Sequence, residues 1–303
     1  MYFFKTLLFL LPFYAFHSAA QFEFDGSGNE IAKNPNQKLV SSLLWKMEGK
    51  GFKKDVYLFG TMHLVEQEYF YFPKKIVELV QNSDQLVTEL GDVNPADGMD
   101  FLKLKKGKFF DYFSKEQTDS ILAYAEKNLS MNEVQFRMMM SNLKPLAMVQ
   151  FATIKTFKGP TESYDLYIMN IALENQKPII GLETIEEQLA LFDKLDSTEN
   201  ANMVMESIRA SENAKSEFKN LELAYQQQDV EKLYQLIHQS SGVFSVMGVD
   251  LLDNRNSNWV KQLKKIAQKK STFIAVGAGH LGGPKGLIQQ FRDEGYTVTP
   301  IKY

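Results

Sequence analysis

The sequence predicts an α/β fold with α+β character, in which strands from both ends of the chain form one central mixed sheet and the middle is largely helical. Three observations support this prediction. Short apolar runs that favour β-structure occur within residues 39–88 and again within 271–301. The long interval between them shows mainly helical spacing of its apolar residues. Inside that interval, the apolar run at 177–182 predicts one more strand.

The first predicted elements are a hairpin, a helix and a strand. Apolar runs at 39–47 and 55–59 flank a short turn whose glycines can take positive φ, which favours a β-hairpin. Pro73 opens an amphipathic stretch that ends near residue 82, and proline is tolerated in the first turn of a helix. Residues 85–88 are the third predicted strand.

The middle and the C-terminal part continue the pattern. Residues 109–177 are predicted to be mainly helical, with Ser114 capping one helix. A second, more polar helical block covers 184–269 and is broken near 240–242. The last predicted elements are a strand at 271–276, a helix at 286–294 and a strand at 296–301.

Composition limits the classes of function. With 303 residues, 44% of them hydrophobic and 23% charged, the chain can bury a sizeable core. Its 34 basic residues nearly balance 37 acidic ones, so no basic surface for nucleic acid is expected. The chain has no Cys, which excludes disulfides, a Cys nucleophile and thiolate metal ligands.

The N-terminus is typical of a secretory signal peptide. Lys5 is followed by an apolar stretch at 6–16 and by the small residues Ser18, Ala19 and Ala20. We therefore predict a signal peptide over 1–20, a flexible lead-in over 21–38, one domain over 39–303, and export to the periplasm or the medium. The alternative is an uncleaved anchor, although the apolar stretch is shorter than the about 20 residues that span a bilayer. No other segment predicts a transmembrane anchor.

Four predicted strands end at residues that can bind a divalent metal, namely His63, Glu89, Glu183 and His280. Ligands collect at the carboxyl ends of the strands in open α/β sheets, so these side chains are expected to meet. Imidazole and carboxylate suit Mn, Co or Zn without choosing among them. Taken singly, each residue could equally be structural.

Both His residues lie in a Gly-x-x-His segment. Gly60 and Gly277 are expected to let the chain turn sharply as it leaves a strand. The repeated segment also suggests two similar half-units that meet at one cleft. Gly-x-Ser-x-Gly and His-Glu-x-x-His are absent, which disfavours an α/β-hydrolase elbow and a zincin helix. Arg255 is interpreted either as part of a solvated helix face or as an anion-holding guanidinium.

Together these segments resemble the TraB/GumN family, which includes the TIKI metalloproteases. The resemblance covers nearly all of the predicted domain and implies an EreA/ChaN-like fold and a metal-dependent hydrolase or peptidase. In this sequence the matching stretches are 43–45, 58–64, 89, 181–188, 255–259, 276–287 and 295–298. The resemblance implies functional roles for Gly60, His63, Glu89, Gly277 and His280, with Glu183, Arg255 and Asn256 as further matches. It also points to Asp165, although Ser163 replaces the family's usual glycine two residues earlier.

The leading hypothesis is metal-dependent hydrolysis of a peptide bond in a peptide or protein substrate. His63 and His280 are predicted metal ligands, and one of Glu89 and Glu183 completes the site while the other acts as general base. Arg255 would steady an oxyanion or an acidic substrate group. Two alternatives stay open: a non-catalytic protein that binds a peptide signal or a metal complex, and a metal-free esterase-like hydrolase in which His63 or His280 is the base.

Overall fold

The computed structural model describes residues 40–49, 51–92, 100–157, 159–213, 215–239 and 252–303. The predicted signal peptide, the whole predicted lead-in over 21–38 and the predicted break at 240–242 lie outside these residues. Within them, no helix combines the length and the apolar character needed to cross a membrane.

Eight strands occur in the described residues, and six of them form the central sheet. The other two, β3 and β5, pair only with each other. The strands are β1 Leu44–Glu48, β2 Val56–Thr61, β3 Val65–Glu66, β4 Gln85–Thr88, β5 Thr161–Glu162, β6 Ile179–Gly181, β7 Thr272–Gly277 and β8 Thr297–Pro300.

The central sheet is mixed, as predicted, with the strand order β6-β4-β7-β2-β1-β8. Strands β6, β4, β7 and β2 run parallel to one another, so their carboxyl ends lie at the same edge. The predicted hairpin is confirmed, since β1 pairs antiparallel with β2. Strand β1 also pairs antiparallel with β8, which closes that side of the sheet with the C-terminal strand.

Eleven α-helices surround the sheet in the described part of the chain. They are α1 Lys74–Asn82, α2 Lys115–Tyr124, α3 Glu133–Met140, α4 Pro145–Ile154, α5 Tyr164–Glu174, α6 Ile185–Phe192, α7 Ser197–Asn213, α8 Lys215–Gln226, α9 Val230–His238, α10 Asp253–Ile266 and α11 Leu287–Asp293. The predicted α/β class with a helical middle is therefore confirmed. The prediction missed β3 and β5, because a strand of two residues leaves no periodicity in the sequence.

The core lies on both faces of the parallel strands. All six residues of β7 are buried, which explains why its sequence is continuously apolar rather than alternating. Helix α1 covers the sheet with Ile76 and Val80, which are fully or almost fully buried. Ser114 caps α2 in a capping box with Gln117, as predicted. The fold thus holds the ends of four parallel strands rigidly beside one another.

Candidate active site

The four residues predicted at strand ends do lie at the same edge of the sheet. His63 follows β2, Glu89 follows β4, Glu183 follows β6 and His280 follows β7. They come together because these four strands are parallel and adjacent. A guanidinium from α10, that of Arg255, contacts three of them.

Gly277 lies at the centre of this cluster. A Cβ atom on Gly277 would be 3.2 Å from Glu89 Oε1, 3.6 Å from His63 Nε2 and 3.7 Å from His280 Cδ2. The Gly277 N–H also donates to Glu89 Oε1 at 2.8 Å. The absence of a side chain at residue 277 is therefore what lets these three groups face one another.

The conformational freedom expected of Gly60 and Gly277 is not used, although the chain does turn into a short 3-10 helix directly after Gly277. Both are the last or next-to-last residues of regular strands, and neither takes a positive φ. The physical reason for glycine at these positions is space. A Cβ on Gly60 would lie 3.0 Å from Cα and Cβ of Ala278, so glycine there lets β2 pack closely against the segment that follows β7.

His63 is held by Asp165, in the first turn of α5. Asp165 Oδ2 lies 2.9 Å from His63 Nδ1, and Asp165 Oδ1 accepts a 2.7 Å hydrogen bond from the Thr61 hydroxyl. Burial disfavours the charged imidazole, but the charge and hydrogen bond of Asp165 outweigh it and raise the pKa of His63 to about 9. Ser163 caps α5 by accepting from the Leu166 N–H.

His280 is held by Asn256, and here the imidazole is neutral. Asn256 Nδ2 donates to the carbonyls of His280 and Lys285, so its Oδ1 faces His280 Nδ1 at 2.7 Å and accepts a hydrogen bond from the Nδ1–H group. Burial, together with the positive charges of Arg255 and His63, lowers the pKa of His280 to about 3. The ring of Trp259 packs against the imidazole with 4.3 Å between centroids.

Arg255 joins the two carboxylates. Its Nη2 lies 2.6 Å from Glu89 Oε2 and 2.9 Å from Glu183 Oε2, and its Nε donates to both oxygens of Glu183. Trp259 Nε1 donates to Glu183 Oε1 at 2.9 Å, so that carboxylate is fully engaged. Burial raises the pKa of the Glu89 carboxyl, but the neighbouring positive charges outweigh it and hold that pKa well below its usual range. Buried charges are tolerated here because each has a partner.

The donor set has the chemistry of a divalent metal site. In both imidazoles, Nδ1 faces a side-chain oxygen, which is the outer-shell arrangement that orients a metal-binding His through Nε2. Glu89 Oε1 lies 3.8 Å from His280 Nε2. However, no three His, Asp or Glu side chains among the described residues are gathered closely enough to hold an ion as they stand.

Arg255 is one reason why these side chains cannot hold an ion as they stand. Its Nη1 lies 3.2 Å from His280 Nε2, where a neutral imidazole has its only lone pair. A metal at His280 therefore requires this guanidinium to give up that contact. The types and orientation of these residues suit a divalent cation. All three side chains could bind it only after the Arg255 guanidinium moves away from His280.

The sequence pattern indicates the ligand candidates but not all of the groups that hold them. Thr61, which donates to Asp165, lies inside the first Gly-x-x-His segment, yet nothing in its residue type indicated this role. Gln188 belongs to the matching stretch 181–188, and its Nε2 lies 3.4 Å from Glu89 Oε2. The stretch alone did not indicate this contact. His238 is exposed, as expected, and lies apart from the cluster.

A comparison with family models agrees with the resemblance seen in the sequence. The model of the TraB/PrgY/gumN family matches residues 43–300, a span that contains every residue of the cluster. Searches of curated proteins and of solved structures found no match to the chain.

Proposed function

Because the chain belongs to the TraB/PrgY/gumN family, we propose that it is an exported metal-dependent hydrolase that cleaves peptide bonds. One observation carries the proposal: His63, Glu89 and His280 face a single point beside Gly277. Two imidazoles and a carboxylate around one point are the donor set of many hydrolytic metal sites. A bound divalent cation would supply Lewis acidity, which polarises a carbonyl and makes water more acidic.

His63, His280 and Glu89 would hold the cation. Asp165 and Asn256 fix the ring orientations, because each places an oxygen against Nδ1 and directs Nε2 to the cluster. Loss of the proton from His63 accompanies metal binding, since only the neutral ring can act as a ligand. Glu89 is favoured over Glu183 as the third ligand because it is the carboxylate beside both imidazoles.

Arg255 and Glu183 would shape the charge around the reacting carbonyl. Arg255 keeps its positive charge at any relevant pH and can donate to an oxygen on which negative charge develops. Glu183 and Trp259 hold the guanidinium, so Glu183 acts as a positioning residue. In the overall reaction a water oxygen bonds to the carbonyl carbon, the C–N bond breaks, and the proton from water goes to the amine.

Export is part of the proposal and is supported by the N-terminal pattern alone, with Lys5, the apolar stretch at 6–16 and small residues up to 20. Fusion of residues 1–38 to a reporter that works only outside the cytoplasm tests it. A reporter that stays cytoplasmic would contradict export without touching the catalytic proposal.

A second candidate is metal-free hydrolysis with His63 as general base. The His63–Asp165 pair favours it, because a carboxylate at Nδ1 is what orients a catalytic imidazole in hydrolases without metal. Chelation separates the two candidates, since metal-free cleavage survives it. The high pKa of His63 counts against this version at neutral pH, where the ring is charged and cannot accept a proton.

The test is cleavage of a peptide library by the purified protein with Mn, Co or Zn, followed by chelator, with products identified by mass. Cleavage that is lost on chelation and restored by one metal supports the proposal. Cleavage that survives chelation supports the metal-free version, and tight stoichiometric binding without products indicates a binding protein instead.

Site variants make this test specific. His63→Ala and His280→Ala should lose metal content, measured by elemental analysis, together with activity. His238→Ala is the matched control, because this His is exposed and lies outside the cluster. Full metal content and rate in either site variant would overturn the assignment of ligands.

A further inference from the structure

We propose that the site selects substrates by an aliphatic side chain of about the size of Leu, Ile or Met, which binds in an apolar pocket beside His63. This inference rests on the proposed hydrolytic function and names the substrate class that such a site would cleave. The pocket touches the cluster directly, since both His63 and Gly277 line it. A side chain in the pocket therefore places its own backbone at the cluster.

The walls of the pocket come from three helices and from the segments at the ends of β2 and β7. Helices α8 and α9 contribute Leu221, Tyr225, Leu233 and Ile237, and Ala278 lies at the end nearest the cluster. Phe157 and Phe218 form an edge-to-face pair, 4.4 Å between centroids, and both are only partly buried. Solvent reaches the wall at this aromatic pair and also at Met62 and His63, which are partly exposed.

The pocket offers little to a polar ligand. Among the described residues that line it, His63 is the only ionisable group besides the Tyr225 phenol. The three hydroxyls on the lining all donate within the protein: Thr61 to Asp165, Thr153 to the Val149 carbonyl and Tyr225 to the Gly60 carbonyl. Burial raises the pKa of Tyr225, so its hydroxyl stays protonated. An acidic side chain would lose its water here without gaining a hydroxyl donor, and a Lys or amide side chain would find only the remaining lone pairs of these hydroxyls.

The volume of the pocket sets the size of the group. The cavity measures about 60 Å³. Because a cavity of about 150 Å³ holds a benzene ring, this one takes about two or three carbon atoms and has no room for an aromatic ring. The terminal carbons of Leu, Ile or Met therefore fill it while the rest of the side chain lies along its open side, whereas Phe and Trp exceed the space, and Gly and Ala leave it partly empty.

The test is a peptide series, acetyl-Ala-Ala-Xaa-Ala-Ala-amide, with Xaa as Gly, Ala, Leu, Phe, Asp or Lys. With the metal-loaded full chain, kcat/KM for cleavage next to Xaa should be about 10- to 200-fold higher for Leu than for Ala, the range that apolar pockets reach. Asp and Lys should be the poorest. The variant Leu221→Ala should move the preference from Leu towards Phe, because it enlarges the pocket.

Leu143→Ala is the matched control, since it truncates a buried Leu that does not line the pocket and should leave the preference unchanged. If Leu221→Ala does not fold, Phe157→Leu enlarges the pocket at its partly exposed wall. Cleavage with equal rates for all Xaa, or a preference for Asp or Lys, would overturn the pocket inference while leaving the hydrolytic proposal in place.

Failure of the hydrolytic proposal gives a different result, namely no cleavage of any peptide with any metal. The pocket is then tested by binding of acetyl-leucine-amide, measured by NMR shifts of the Leu221 methyl groups. Saturable shifts that acetyl-aspartate-amide does not produce support an apolar pocket, and their absence overturns it.

Discussion

Gly277→Ala is the sharpest perturbation of the cluster, because it adds one methyl group at the point that three functional side chains face. The backbone there, with φ −50° and ψ 133°, suits alanine as well as glycine, so no backbone strain is expected. The new methyl would sit 3.2 Å from Glu89 Oε1 and 3.6 Å from His63 Nε2. A neighbour has to yield by only a few tenths of an ångström at the shorter contact.

The expected change in the free energy of unfolding is small. Alanine lowers the entropy of the unfolded chain and so stabilises the fold by about 0.4–1 kcal/mol. The tight contact with the Glu89 carboxylate opposes this gain, so the net change should stay within about 1 kcal/mol. Hydrolysis should suffer more, because the group that has to yield is the Glu89 carboxylate. A displacement of about 1 Å at a reacting group costs about 100-fold in rate, so a few tenths of an ångström should cost about 3- to 10-fold.

The assay combines urea unfolding, metal content after dialysis, and kcat/KM on one peptide. Gly277→Ala should fold normally, bind less metal and lose about 3- to 10-fold in kcat/KM. Gly159→Ala is the matched control, because nothing lies within 4 Å of its added methyl. Normal metal content and rate in Gly277→Ala would refute the claim that the three donors act at one point.

Three further predictions follow from the same geometry. Gly60→Ala should lower the free energy of unfolding by about 1–3 kcal/mol, seen in urea melts, because its methyl would press on Ala278 at 3.0 Å; an unchanged midpoint would contradict this. Asp165→Asn should lower the pKa of His63 from about 9 towards its ordinary value, seen by NMR titration of the chelated protein, since a negative charge is removed; a pKa still near 9 would show that another group sets it. The stability of the chelated protein should be greatest near pH 6.5. Because the pKa of His63 is raised to about 9, its contribution to stability is fully present below about pH 6.5 and is lost as the pH rises through about 9. Because the pKa of His280 is lowered to about 3, its contribution is present above about pH 6.5 and is lost as the pH falls below that value. Urea melts from pH 5 to 9 test this, and a flat profile would contradict both shifts.

The local sequence pattern was enough to predict the longer strands and helices and to select the candidate metal ligands. Predicted strands at 85–88 and 271–276 agree with β4 and β7 to within a residue, because apolar periodicity and the residues that bound it are properties of neighbouring residues. The same holds for the helix that follows Pro73. His63 and His280 could be singled out because each follows an apolar run in the same Gly-x-x-His spacing.

Only the tertiary structure shows which of these strands and helices lie beside one another. Strands β2 and β7 are neighbours in the sheet although more than 200 residues separate them, and no local period records such a pairing. That pairing brings the two imidazoles to Gly277, where the need for glycine is one of space rather than of φ. The partners Asp165, Asn256 and Arg255 come from other helices, as does the apolar pocket beside His63. Contacts between distant segments depend on packing of the whole chain, and so they cannot be read from any stretch of it alone.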